Sequence, residues 1–351
     1  MKVLHVIFQF TVGGAETMLV DIANEQCKTA DVYILIINDQ IYEQLLQSFD
    51  KRVTIILINR KRGNKIQLIS TFFKIQKLLS SIKPDAIHCH NNNLIYLFPF
   101  HREKTCVTVH SVNLSNKYLS YYGKIFAISK AVKIDLKERS NIESVLVYNG
   151  IKLDDFKQRI KYNFNPTLDE FKIIQIGRLS ARQKAQDIAI KSISILAKTN
   201  PEINIQIYFL GEGESLEMLQ KLAEDYQVND KVTFMGLCPY EWVKCNLHNY
   251  SLLIHPSTFE GFGLTVIEGF ASGLPVIAGN VDGPKEILEQ LNAGLLVQPS
   301  DPEDLANKIR TIANSYISGE IDNSNYIIQN REELNMFDVK TTANRYLENY
   351  K

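Results

Sequence analysis

Long apolar runs are missing from this 351-residue chain, and no stretch approaches the roughly 20 residues that a membrane-spanning helix requires. The opening Met1-Lys-Val-Leu-His-Val-Ile-Phe is too short for the apolar core of a secretory signal and runs on to Gly13-Gly14. A soluble or peripheral protein is expected. Cysteine is scarce and odd in number: Cys27, Cys89, Cys106, Cys238 and Cys245 are scattered through the chain. That pattern fits reduced thiols in a cytoplasmic protein better than a disulfide framework. Cys238, Cys245 and His248 lack zinc spacing and have no evident fourth ligand, so no metal is expected. No G-x-G-x-x-G dinucleotide fingerprint follows any strand-like run, which disfavours an NAD-dependent oxidoreductase. Net charge is also absent, with 39 basic and 39 acidic residues. The balance hides an asymmetry, because residues 1–170 hold 23 basic against 16 acidic residues and the remainder reverses those numbers. A basic half suits anionic partners such as lipid headgroups; free drift of surface charge is the equal alternative.

What is present is an alternation of short apolar runs with longer amphipathic ones. Strands are expected at residues 2–8, 32–37, 53–58, 86–90, 106–109, 124–128 and 144–147. A second series follows at 171–176, 203–210, 232–235, 252–255, 275–278 and 294–297. Helical patterns between them include 15–27, 66–82, 129–139, 185–199, 215–226, 263–271 and 302–315. Strand-helix alternation with β-branched strands implies an α/β fold of parallel sheets covered on both faces. Two series make two doubly wound domains, and the length suits that number. Apolar periodicity lapses over residues 152–170, which read as a linker. The expected division is 1–160, 161–335 and a C-terminal helix, 336–351, that crosses back to the first domain. Ligands of such folds lie outside the carboxyl ends of the strands, in a crevice the domains share.

Several strand ends carry chemistry. Glu260 and Glu268 bracket Glu-Gly-Phe-Gly-Leu-Thr-Val-Ile-Glu after an apolar strand. Two carboxylates at a turn that also presents backbone N–H groups offer acceptors for hydroxyls and donors for phosphate together, as half of a nucleotide-sugar site. Gly177-Arg178-Leu179 ends the first strand of the second series, with Lys184 six residues after Arg178. The planar fork and the compact charge can clamp a diphosphate from two sides. Gly211-Glu212-Gly213 ends the next strand, close to where a base or ribose would lie. Gly13-Gly14-Ala15-Glu16 opens a helix after the first strand and allows close backbone approach, a plain tight turn being as good a reading. His110 follows a strand at its carboxyl end, where a crevice residue would sit. His88 and His90 are expected on opposite strand faces, unable to share a metal, and His255 is read as structural. His90 stands beside Asn91-Asn92-Asn93, a polar loop suited to hydroxyls. Asn59 to Lys65 and residues 66–83 mix basic residues with Leu68, Ile69, Phe72, Phe73, Leu78 and Leu79. The apolar face is expected mainly in the core, with the basic rim free for lipid phosphates.

Taken in order, these residues resemble the retaining glycosyltransferases of family 4, which have the GT-B fold. The resemblance spans nearly the whole chain. It rests on Gly13-Gly14-Ala15-Glu16, His110, Asn149-Gly150-Ile151, Gly177-Arg178-Leu179 with Lys184, Gly211-Glu212-Gly213, Val232-Thr-Phe-Met-Gly236 and the segment from Glu260 to Glu268. It implies two Rossmann-like domains facing a cleft, acceptor side first and nucleotide-sugar donor side second. It implies sugar transfer from a nucleotide-diphosphate sugar without a metal cofactor. By resemblance Arg178 and Lys184 neutralise the leaving diphosphate, and Glu260 holds the sugar hydroxyls with backbone N–H groups of Phe262 and Gly263. Leu264 and Thr265 donate to phosphate, Glu268 binds the ribose, Gly211 lines the donor, and His110 touches the sugar. Gly13 and Gly14 let the first domain close on the phosphates. Ala185 stands where the family often has glycine, a change expected to be mild. No nucleophile stands out, in keeping with the front-face attack usually proposed for the family.

The expected partners are thus a nucleotide-sugar donor, a glycan or lipid-linked acceptor of cell-surface polysaccharide synthesis, and an anionic membrane at its inner face. No nucleic acid is expected. A nucleotide-sugar epimerase of the same fold and a non-catalytic sugar-nucleotide binding module are the alternatives.

Overall fold

The structure, a computed structural model, describes residues 1–11, 13–61 and 65–350. Arg62, Gly63 and Asn64 of the basic stretch lie outside the described residues. The chain divides into two compact units, one of residues Met1–Lys152 with the segment from Met336, the other Leu153–Asn335.

In the first unit, β1 (Lys2–Ile7), β2 (Asp31–Asn38), β3 (Thr54–Arg60), β4 (Ala86–Cys89), β5 (Thr105–Val109), β6 (Lys124–Ala127) and β7 (Val145–Leu146) form one sheet. Its order is β3-β2-β1-β4-β5-β6-β7, and the pairs are parallel. In the second, β8 (Phe171–Ile176), β9 (Ile205–Leu210), β10 (Val232–Gly236), β11 (Leu252–His255), β12 (Val276–Gly279) and β13 (Leu295–Val297) pair in parallel as β10-β9-β8-β11-β12-β13. Every expected strand is present. Interior strands β5, β11 and β12 are buried at every position, whereas edge strand β3 alternates between half-buried and exposed. Central parallel strands are covered on both faces, so they read as unbroken apolar runs. Strand order reverses between β1 and β4 and between β8 and β11. Loops leave the carboxyl ends in opposite directions there, which opens the crevice where doubly wound folds take ligands.

Residues 153–170 have no regular periodicity because they run irregularly over the second unit. Single anchors hold them: Phe156 is buried, the Tyr162 hydroxyl donates to Gly273 O at 2.6 Å, and Arg159 N–H donates to Ser272 O at 2.8 Å. The linker reading of this stretch gives way to a docked segment. The C-terminal helix Val339–Asn349, capped by the Asp338 carboxylate, belongs to the first unit. There Val339, Ala343 and Tyr346 pack with Met18, Ile22, Cys106 and Phe126.

Helix Lys65–Ile82 carries two apolar stripes. Thr71, Ile75, Leu79 and Ile82 are buried, while Ile69 and Phe73, one turn apart, are 65% and 66% exposed. No helix among the described residues is long and apolar enough to cross a membrane.

Candidate active site

Both switch points carry residues singled out in the sequence, and the second unit gathers most of them. Gly177 follows β8 and Gly211 follows β9, each with positive φ, at 148° and 142°. A methyl group at Gly211 would lie 2.1 Å from Gly177 O, so the two loops touch only because one of them lacks a side chain. Leu179 N–H donates to Glu212 O at 2.9 Å and Ser215 N–H to Leu179 O at 3.1 Å, which fastens them together.

Arg178, in the first of these loops, extends into solvent with its side chain 73% exposed and donates from Nε to Glu214 at 3.0 Å. Lys184 ends the one-turn helix Ala181–Lys184 and turns inward, its side chain 17% exposed, to pair with the Glu260 carboxylate. The acidic turn is tied to the same helix. Thr258 N–H donates to Gln183 O at 2.9 Å, and its hydroxyl to Arg182 O at 2.7 Å. Ala185 adopts the left-handed conformation, φ 55° and ψ 37°, which explains why glycine suits this position. The conformation costs about 1–2 kcal/mol with a Cβ. Burial of its methyl group offsets up to about 0.8 kcal/mol of that. The penalty is small but real, and its origin is backbone geometry.

At the acidic turn, Gly263 takes φ 99° and helix Leu264–Ala271 opens immediately after it. Leu264 and Thr265 therefore occupy the first turn, at the positive end of the helix dipole. Burial works to raise the Glu260 carboxyl, but the adjoining His255 ring and the Lys184 charge outweigh it and hold the group down at about 2. Glu268 is different. It is 6% exposed, accepts from the Tyr240 hydroxyl at 3.0 Å, and is pushed up by burial to about 7, against Tyr240 and the charge of Lys244. Lys244 itself is buried between Asp155 and Glu241, each at 2.8 Å.

Lys184, Glu260, Gly177, Gly211 and Thr265 thus share one edge of the second sheet, while Arg178 reaches away to Glu214 and Glu268 sits beside Tyr240. Phe262 is buried against the turn at Gly283, where a methyl group would lie 2.3 Å from Phe262 Cα. Tyr240, Lys244 and Glu214 were not singled out in the sequence. Each has a partner far away in the chain, Glu268, Asp155 and Arg178 respectively, which only the fold brings near.

In the first unit, Gly13 caps helix Gly14–Gln26 with extended backbone, φ −173°, and neither Gly13 nor Gly14 has positive φ. Turn sterics therefore do not require glycine. A methyl group at Gly14 would meet nothing within 4 Å, which leaves the helix start open. His110 follows β5 with Nε2 enclosed and unpartnered, and burial draws it down to about 4. Asn91 spends its side-chain oxygen on Phe8 N–H at 3.0 Å, leaving less of that loop for hydroxyls.

The expectation that His88 and His90 face opposite ways is wrong. Residues two apart on a strand share a face, and the rings stack at 4.6 Å between centroids. His5, opposite His88 on β1, joins them, and ring nitrogens of the three lie within 4.8 Å of one another. Metal spacing is therefore met, but the nitrogens have other partners. His5 Nε2 meets Gln26 Oε1 at 2.8 Å and Nδ1 meets His90 Nε2 at 3.1 Å. His88 is held by the Tyr350 hydroxyl at 2.6 Å and Thr108 Oγ1 at 2.7 Å. Burial lowers the pKa of all three rings, and neutral imidazoles in a satisfied network make a polar core.

Two parallel doubly wound sheets, with a cation–carboxylate pair at the switch point of the second, define a GT-B transferase architecture. Residues 156–333 match the family described as Glycosyl transferases group 1, and residues 12–155 match Glycosyltransferase Family 4. The chain belongs to glycosyltransferase family 4, a family of retaining enzymes. An uncharacterized glycosyltransferase of Methanocaldococcus jannaschii is 26% identical over 339 residues, 90% of this chain and 89% of that protein. The lipopolysaccharide 1,6-galactosyltransferase of Escherichia coli K12 is 23% identical over 88% of this chain and 87% of its own length. Among solved structures, HepE of Anabaena in complex with UDP superposes with a TM-score of 0.79 at 20% identity, covering 99% of each chain. The lipopolysaccharide outer core galactosyltransferase WaaB, in its apo form, gives 0.74 at 19% identity over 99% of each chain.

Proposed function

We propose that this glycosyltransferase moves a sugar from a uridine diphosphate sugar to a glycan or lipid-linked oligosaccharide in cell-surface polysaccharide synthesis, at the inner face of a membrane. One observation carries the reading: Lys184 and Glu260 meet at the carboxyl ends of β8 and β11, beside the open turn of a helix N-terminus. A cation for phosphate and a carboxylate for hydroxyls, held in contact, match the two halves of a sugar phosphate. The uridine base and the acceptor class draw support from HepE, solved with UDP and UDP-glucose, and from the lipopolysaccharide galactosyltransferases.

In this reading the donor domain is the second unit. Lys184 and Arg178 take up charge on the diphosphate as the anomeric C–O bond breaks, so no divalent ion is needed. Leu264 and Thr265 N–H groups face the phosphate, Gly211 lines the donor, and Glu260, with Phe262 and Gly263, orients the sugar. Glu268 accepts the ribose hydroxyls. On the first unit the proposed donor contacts are Gly13, Gly14 and His110. The acceptor oxygen attacks the face the phosphate leaves, and its proton passes to the departing phosphate oxygen. Catalysis is then positioning and electrostatic preorganisation, with no covalent enzyme intermediate. Ile69 and Phe73, with exposed Lys74 and Lys77 on the same helix, are the proposed contact with anionic lipid.

The test is sugar transfer from UDP-, GDP-, ADP- and dTDP-sugars, with and without EDTA, by wild type and by Arg178→Ala and Lys184→Ala. Lys184→Ala is expected to lower kcat roughly 10²–10³-fold, the size of a lost transition-state donor. Unchanged transfer in both variants sinks the clamp, and absence of binding and turnover with every donor sinks the functional reading.

A further inference from the structure

His255 was set aside in the sequence as structural, yet it touches three parts of the site. It closes β11 and is 2% exposed. Its Nδ1 lies 2.8 Å from Thr265 Oγ1, and its Nε2 lies 3.2 Å from Ser257 Oγ and 3.6 Å from Glu260 Oε2. One imidazole therefore joins the strand end, the acidic turn and the first turn of helix Leu264–Ala271.

We infer that His255 is a positioning residue, whose ring keeps the Glu260 carboxylate and the Thr265 hydroxyl in register when Lys184 turns its charge to the donor's diphosphate. This rests on the function proposed above, in which Lys184 and Glu260 address different parts of one donor. Among the described residues, Lys184 is the one lysine or arginine in an ion pair with Glu260, and the His255 ring lies on the same carboxylate oxygen. As phosphate draws Lys184 away, an enclosed carboxylate loses its countercharge, a costly state unless another donor stays with it. His255 is placed to stay, because neighbouring elements hold its ring on both edges.

The tautomer follows from the partners. A carboxylate only accepts, so the proton belongs on Nε2, facing Glu260 and Ser257. Nδ1 is then the acceptor for the Thr265 hydroxyl. Burial lowers the pKa of the ring, so this neutral form is the resting one, and both its polarities are in use. The ring fixes the distance between the sugar-holding carboxylate and the phosphate-facing helix turn. Its contribution is to sugar orientation, not to nucleotide affinity.

The experiment compares wild type with His255→Ala, His255→Asn and His255→Gln, measuring UDP binding by calorimetry and steady-state transfer from UDP-sugar. His255→Gln sets an amide N–H near the former Nε2, whereas His255→Asn reaches only toward Thr265. UDP affinity is expected to stay within about twofold, while kcat falls roughly tenfold to a hundredfold in the Ala and Asn variants and largely recovers in Gln. In a Glu260→Gln background, His255→Ala should cost little further, since its effect runs through the carboxylate. Equal loss of UDP affinity and kcat, or full additivity with Glu260→Gln, overturns the inference. Wild-type enzyme that transfers sugar while every His255 variant matches it overturns the inference alone. Wild type that binds and turns over no donor overturns the function beneath it.

Discussion

Burial and partners give the two glutamates of the acidic turn opposite electrostatic characters. Glu260 stays ionised down to about 2, whereas Glu268 takes up its proton at about 7. For Glu268 the folded pKa stands above that of the free side chain. Its contribution to stability is therefore full below the ordinary carboxylate range and is lost as pH rises towards 7. Ribose hydroxyls donate, so the bound state proposed here favours the ionised form. UDP affinity is expected to rise with pH across about 7 and then level off, while Glu268→Gln shows only the titration of the phosphate itself. Calorimetry over that range checks this, and parallel profiles for the two proteins would remove Glu268 from the ribose. Tyr240→Phe takes away the donor that stabilises the ionised carboxylate, so it should move the inflection upward. The carboxylates were legible from their spacing around a glycine turn. Tyr240 was not, because it stands 28 residues from Glu268 and gains meaning only from the packing of helix Tyr240–Asn246. His255 was visible but ambiguous: a histidine at a strand end reads as core until its three partners are known.

Elements were easier to read than residues, and for a physical reason. Parallel strands buried on both faces leave short unbroken apolar runs such as Leu-Leu-Ile-His and Val-Ile-Ala-Gly. The helix Lys65–Ile82 shows the limit. Its apolar residues exceed one stripe, and sequence alone did not say which stripe faces water. With Ile69 and Phe73 exposed, Phe73→Ser is expected to weaken sedimentation with phosphatidylglycerol vesicles and leave the thermal midpoint within about 2 °C, as surface changes do. Equal vesicle binding by the variant would end the membrane proposal for this helix. A second element-level case is the approach of the C-terminal helix to Gly150. A methyl group there would lie 2.5 Å from Thr342 Oγ1 and 2.7 Å from Val339 N. Gly150→Ala should thus cost about 1–3 kcal/mol by overpacking, measurable as a lower urea midpoint.

At the scale of the whole molecule, the first unit is built from two separated stretches of chain. Residues 336 onward add the helix that completes a cluster with Met18, Ile22, Cys106 and Phe126. Tyr350 extends the attachment, its hydroxyl 2.6 Å from His88 Nδ1 in the imidazole network. Tyr350→Phe leaves that nitrogen enclosed without its partner and is expected to destabilise the unit by about 1–3 kcal/mol. Hydrogen exchange should report the loss in β1, β4 and β5, and protection unchanged there would show that the contact is dispensable. The ribosome delivers these parts in an order the architecture does not follow. Residues 153–335 emerge as one uninterrupted stretch and can close their core during translation, although they are made second. The earlier-made stretch must wait, its cluster lacking Val339, Ala343 and Tyr346 until the whole second unit has been made. Of the two units, the first to be translated is thus the last whose core can close, and its apolar patch stays uncovered throughout the interval.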